Sequence, residues 1–283
     1  MIFLFIVLLF IPASGAGREP FSMGYGMATN GAILQPDGIS GREPFTSACF
    51  YGDSFRYGVT VAGVDYYDPM DNRTSSLIGQ AALGGFFAPR GALKGFVFKG
   101  AYLHFDAMRV YYEQEGMLSV GCNLVPFVKP SLELSAFRAG LYHADGPPQQ
   151  TRLEMGASAM VPFAIAAISL SVSHIPLKTA HVEGYNAPFT IRAGLHSGKN
   201  SLGGQGILME IAQDEVWRFR VSIGEEYWFT KNIAASLALS TNPVLVSFGV
   251  TCALGGSSSL TAAFTDHPVL GWSKGLGMSW AGK

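Results

Sequence analysis

From Phe55 to Trp280 the chain alternates apolar and polar positions with a period of two, interrupted at short intervals by Gly, Pro, Asn and Asp. Only an extended strand sorts such a period onto two faces. The sharpest case sets Trp217, Phe219, Val221 and Ile223 against Arg218, Arg220, Ser222 and Gly224. Leu118, Val120, Cys122 and Leu124 alternate in the same way with Ser119, Gly121 and Asn123. Counting such segments from Phe55–Tyr66 to Gly271–Trp280 predicts about fourteen strands, within a range of about twelve to fourteen, and no helices. Among them are Met117–Pro126, Ile165–His174 and Val216–Gly224. Longer connections are expected at Tyr67–Ser75, Asp106–Gly116, His143–Gln150 and Ile175–Ala187, and short ones at Pro89–Ala92 and Phe127–Pro130. Ala157–Val172 is apolar enough to suggest a helix, but Pro162 inside it would cost about 3 kcal/mol there. Two strands turning at Pro162-Phe163 are expected instead.

Both a soluble sandwich and a membrane barrel alternate, so composition decides between them. Only 14% of residues are charged, against about 25% in soluble domains. The outward sets are Leu, Val, Ile, Phe and Trp, and the inward sets are mostly Gly, Ser, Thr and Asn. A soluble sheet places more Lys and Glu on its wet face. The prediction is therefore an all-β fold, a transmembrane antiparallel β-barrel. The net charge of -1 offers no attraction for nucleic acid.

The pattern divides the chain into three parts: a signal peptide at 1–16, an N-terminal segment at 17–54 and the barrel at 55–283. Ile2 to Pro12 is an unbroken apolar run followed by Ala-Ser-Gly-Ala, as in a secretory signal, although no basic residue precedes it. Residues 17–54 are rich in Gly and Pro and contain Gly-Arg-Glu-Pro-Phe twice, at 17–21 and 41–45. Small residues such as Gly24 and Gly26 permit close packing inside another structure. Cys49, Cys122 and Cys252 have neither disulfide nor zinc-site spacing and read as small apolar packing residues.

In the last strand Trp272, Leu276, Met278 and Trp280 share one face, and Lys274 shares it with them. That lysine must lie near an interface, where it costs about 0–1 kcal/mol instead of about 2–4 at mid-membrane. The terminal apolar strand looks like the assembly signal of bacterial outer-membrane proteins. Met23-Gly24 through Ala32 with Pro36-Asp37-Gly38, the run Gly224-Glu225-Glu226-Tyr227-Trp228-Phe229, and His267-Pro268-Val269-Leu270-Gly271 together resemble the FadL-like outer-membrane barrels, in particular the PorV and PorQ type of the type IX secretion system. Glu43-Pro44-Phe45 stands where that family carries Asn-Pro-Ala. The resemblance implies a fourteen-stranded barrel whose N-terminal segment, with Met23, Gly24, Asp37, Glu43 and Pro44, folds into the lumen as a hatch. It implies either passive passage of small hydrophobic or amphipathic molecules, or a non-transporting scaffold or shuttle in secretion. The implied surroundings are outer-membrane lipid, with hydrophobic small molecules or secretion proteins as partners.

Strand phasing sets Arg192, Glu210, Arg218 and Arg220 on inward faces of three consecutive strands, with Glu210 on the middle one. A cross-strand charge ladder is expected there, worth a few tenths to about 1 kcal/mol per pair. It either stiffens the wall or anchors an anionic head group or the hatch acids. Trp217, Tyr227, Trp228, Trp272 and Trp280 are assigned to an interfacial aromatic girdle, with a periplasmic turn at Thr230–Asn232. The six histidines are scattered, and adjacent Ser173 and His174 should point to opposite faces. No catalytic constellation, phosphate loop or calcium loop is present in the sequence, so neither an enzyme nor a cofactor or metal site is expected.

Overall fold

A computed structural model describes residues 56–68, 78–107, 111–123, 127–141, 150–163, 166–179, 189–197, 203–213, 217–242, 244–255, 258–267 and 271–282. The expected signal and hatch segments lie outside these residues. The fourteen strands are β1 (Tyr57–Asp68), β2 (Ile78–Phe87), β3 (Phe96–Ala107), β4 (Tyr111–Cys122), β5 (Lys129–Leu141), β6 (Gln150–Pro162) and β7 (Ala166–Thr179), then β8 (Phe189–Ser197), β9 (Gly203–Gln213), β10 (Trp217–Trp228), β11 (Ile233–Ser240), β12 (Leu245–Gly255), β13 (Ser258–His267) and β14 (Gly271–Gly282). Each pairs antiparallel with the next, and β1 pairs with β14, which closes the barrel.

Alternation decides which face each residue takes. Val59, Leu83, Leu118, Leu132, Ile168, Phe219 and Ile223 are exposed on the outer wall, whereas Thr60, Ser119, Ser131, Ser169, Ser222 and Thr251 are buried inside. Water-exposed apolar surface of that extent is unfavourable by about 25 cal/mol per Å², so this exterior suits lipid. Lys274 is on the outer wall near the start of β14, directly opposite Asp65 of β1.

Both termini of the barrel lie at one rim, where Tyr57 pairs with Gly282. The short connections Phe87 to Phe96, Pro162 to Ala166 and Trp228 to Ile233 are at that rim. In the last of these, Ile233 N donates to Thr230 Oγ1 at 3.0 Å and Phe229 N to the Ile233 carbonyl at 3.0 Å. Ala157–Val172 forms parts of β6 and β7, with Phe163 N donating to the Ala166 carbonyl across the turn. Phe86, Val97 and Ala281 make a small apolar cluster inside this rim, and the Phe86 ring covers Gly58 on the neighbouring strand.

Two expected loops are partly strand. The connection assigned to Asp106–Gly116 shrinks to the few residues between Ala107 and Tyr111, because Glu113 and Glu115 take inward positions in β4. Ile175–Ala187 loses its first residues to β7, which continues through Pro176 to Thr179 with two irregularities in its pairing with β6. β10 also runs on from Gly224 to Trp228.

Tight inward packing gives a direct check. A Cβ on Gly194 would lie 2.5 Å from His196 Nε2 and 2.6 Å from Ser169 Oγ, and those two side chains hydrogen-bond to each other at 2.9 Å. Gly194→Ala is expected to lower stability by about 1–3 kcal/mol. Urea unfolding of the refolded barrel measures this, and adding Ser169→Ala should recover part of the loss.

Candidate functional site

The inner wall is chemically two-sided. On β11–β14 it carries small side chains, among them Ala234, Ala238, Ser247, Thr251, Ala263 and Ser279, all buried. Their hydroxyls pair across strands: Ser247 with Thr265 at 2.7 Å, Thr251 with Thr261 at 3.0 Å, and Ser259 with Ser279 at 2.7 Å. A hydroxyl satisfied by its neighbour presents methyl and methylene groups to the interior, so β12–β14 are less polar than their composition suggests, whereas the buried Ser236 hydroxyl of β11 has no such partner among the described residues.

The charges lie on the rest of the wall, with Lys99 on β3 and the others on β4–β10. Register sets Arg192 of β8 and Arg220 of β10 directly opposite Glu210 of β9. Arg192 Nε donates to Glu210 Oε2, and Arg220 bridges to Glu210 Oε1 at 3.0 Å. All three are about 8% exposed, so little water competes with the pairs. Arg218 also has its place on this inward face but is opposite Ala212, one inward position nearer the far rim. Arg220, not Arg218, is therefore the partner of Glu210.

The array extends beyond the four residues expected from phasing. Arg192 reaches Ser173 Oγ on β7 at 3.4 Å. The adjacent His174 bonds through Nδ1 to Glu154 Oε2 on β6 at 2.8 Å, and Arg152 lies 3.7 Å from Glu154 Oε1. Ser173 and His174 thus both face inward, contrary to the expectation of opposite faces. Met155 pairs with Ile175 and Ala157 with Val172, so Gly156 alone opposes Ser173 and His174. That is a β-bulge, and His174 occupies it with φ 61. The extra residue turns a second consecutive side chain inward and joins two groups of charges into one array across β6–β10. Its residues lie in the half of the barrel away from the termini.

The girdle residues separate by rim. Trp280 packs on Tyr57 with ring centroids 5.3 Å apart, and Tyr227 on Phe229 at 5.0 Å, at the rim of the termini. Trp272 meets Phe248 edge-on at 5.8 Å toward the other rim. Trp228 departs from the girdle assignment: its parity is that of inward Glu226, to which its Nε1 donates at 2.8 Å. Only the backbone of Trp217 is described. The hatch residues Met23, Gly24, Asp37, Glu43 and Pro44 are outside the described residues, so their relation to the arginines is not part of this geometry. Phasing missed Glu115, Arg152, Glu154 and His174. The parity that aligns Glu113 and Glu115 with Met117 and Ser119 was the available signal for the first of these.

No known family profile and no curated protein matches the chain. Solved structures do. The Ralstonia pickettii toluene transporter TbuX superimposes with a TM-score of 0.58 at 11% identity, covering 94% of this chain and 97% of that one. The P. putida toluene transporter TodX gives 0.60 at 8% identity, over 93% and 96%. The Acinetobacter baumannii outer membrane protein Omp33 gives 0.50 at 8% identity, over 80% and 98%. At these identities the likeness is one of fold: the chain is a closed fourteen-stranded antiparallel barrel of the architecture seen in those transporters.

The charge array predicts a measurable cost. Glu210→Gln leaves two buried guanidinium groups without their shared carboxylate and should destabilise the barrel by about 3–5 kcal/mol. Glu225→Gln, on the outer wall near the rim, keeps an oxygen to accept the 3.0 Å bond from Gln205 Nε2 and should change stability by no more than about 1 kcal/mol. Urea titration of both variants in the same lipid makes the comparison.

Proposed function

We propose that the protein is a FadL-like channel of a bacterial outer membrane, through which small hydrophobic or amphipathic molecules pass passively. The observation that carries this reading is the two-sided inner wall, with self-paired hydroxyls on β12–β14 and alanines on β11 and β13 facing the charged array of β4–β10. A weakly polar strip lets an apolar body move without stripping water from fixed charges, while the array beside it accommodates a polar group. The whole-length likeness to two toluene transporters supports transport over the secretion-scaffold branch of the PorV-type resemblance. The rim holding both termini, opposite the two longest connections at 69–77 and 180–188, is then periplasmic, and the charged half faces outward. Catalysis has no part in this reading.

Intact cells provide the test, because a bare phospholipid bilayer already passes an aromatic hydrocarbon. Cells making the protein should take up labelled toluene several-fold faster than cells with an empty vector. Ala238→Phe, which places a ring on the weakly polar strip, should remove most of that gain while the barrel still migrates as a folded, heat-modifiable band. Equal uptake with and without the protein would overturn the proposal.

A further inference from the structure

Glu115 on β4, Glu154 on β6 and His174 on β7 bring one ligand atom each within 4.8 Å of the others. Both carboxylates are nearly inaccessible, at 5% and 1% exposure, and the imidazole is 12% exposed. We propose that these three side chains form a divalent-cation site, suited to Zn²⁺ over Ca²⁺ and Mg²⁺, on the inner wall of the barrel. It is independent of the transport reading.

The chemistry follows from the donor set. One imidazole nitrogen with two carboxylate oxygens matches the ligands of zinc, which binds them at about 2.0–2.2 Å and tolerates four-coordination. Calcium would require six to eight oxygens, and magnesium a nearly complete octahedron of them. Three ligands around one zinc ion are about 3.3–3.6 Å apart for tetrahedral angles at those bond lengths. The present spread therefore requires only a small side-chain adjustment. His174 Nδ1 and Glu154 Oε2 are already 2.8 Å apart and share a proton. A zinc ion replaces that proton, because the imidazole must give up its Nδ1 hydrogen to ligate. Arg152 lies toward the other carboxylate oxygen, Oε1, at 3.7 Å, which orients Glu154 and leaves Oε2 for the ion.

Placement of the ligands is specific as well. Without the bulge opposite Gly156, His174 would project to the lipid side while Ser173 projected inward. The left-handed backbone of His174 costs energy for any residue but glycine, and it is what brings the ring to the two carboxylates. Phe137, 1% exposed and opposite both Glu115 and Arg152 in the register, is the buried apolar residue that β5 places between the strands carrying the two carboxylates. Ligands drawn from three strands have no sequence spacing that marks a metal site, which accounts for the expectation of none.

The experiment uses the full-length protein, folded in detergent, stripped with a chelator and titrated calorimetrically with ZnCl2. The expected result is one ion bound per chain in the micromolar range, with Glu115→Gln and His174→Gln each weakening binding at least tenfold. Both variants must retain the heat-modifiable band. If His174→Gln loses it, Glu115→Gln decides the matter together with X-ray absorption at the zinc edge, where one imidazole and otherwise oxygen ligands are expected. No binding by the wild-type chain, undiminished binding by Glu115→Gln, or sulfur in the zinc shell from the free cysteines would each overturn the site.

Discussion

Hydrogen bonding between β1 and β14 is the constraint on which the rest of the structure depends. In hydrocarbon an unpaired backbone group costs several kcal/mol, so a sheet in lipid has no tolerable edge. Closure removes both edges, and the register from Tyr57–Gly282 to Asp65–Lys274 fixes how it does so. Once the wall is closed, each strand has only an inside and an outside, and every side chain is committed to one of them by parity. The apolar exterior, the hydroxyl strip and the charge array are three results of that single condition.

It also explains what the amino-acid pattern made legible. Strand number, antiparallel order and the inward assignment of Arg192, Glu210 and Arg220 all depend on a period of two, which the sequence carries openly. Glu113 and Glu115 were harder to see, because two acids beside polar Gln114 resemble a loop until a closed, polar interior is available to receive them. The joint inward orientation of Ser173 and His174 could not be read at all. A bulge breaks the period, and nothing local to those residues announces that Gly156, on another strand, will oppose both. Trp228 eluded its assignment for a related reason: an aromatic at a strand end reads as girdle, whereas parity and the Glu226 carboxylate draw it inward.

Buried charge in such a wall raises the question of its purpose. Opposed guanidinium and carboxylate groups seldom stabilise a fold more than well-packed apolar residues would, so their net contribution is small even where breaking one pair is costly. Their effect is on geometry. Glu210 held from both sides, and Glu154 held by Arg152 and His174, keep long side chains in defined positions along one side of the interior. The facing strip does the reverse, with short side chains that take up little room and bond mainly to one another.

The seam between β1 and β14 has a further consequence for the order of assembly. It joins the two strands most distant in the barrel sequence, so its pairing carries the largest loop-closure entropy and comes late. Until the last strand arrives, Tyr57–Asp68 presents an unpaired edge with Val59 and Val61 on its apolar face, a template for association with other chains. Keeping that edge covered until β14 pairs is therefore the condition for a single chain to complete its own wall instead of joining another.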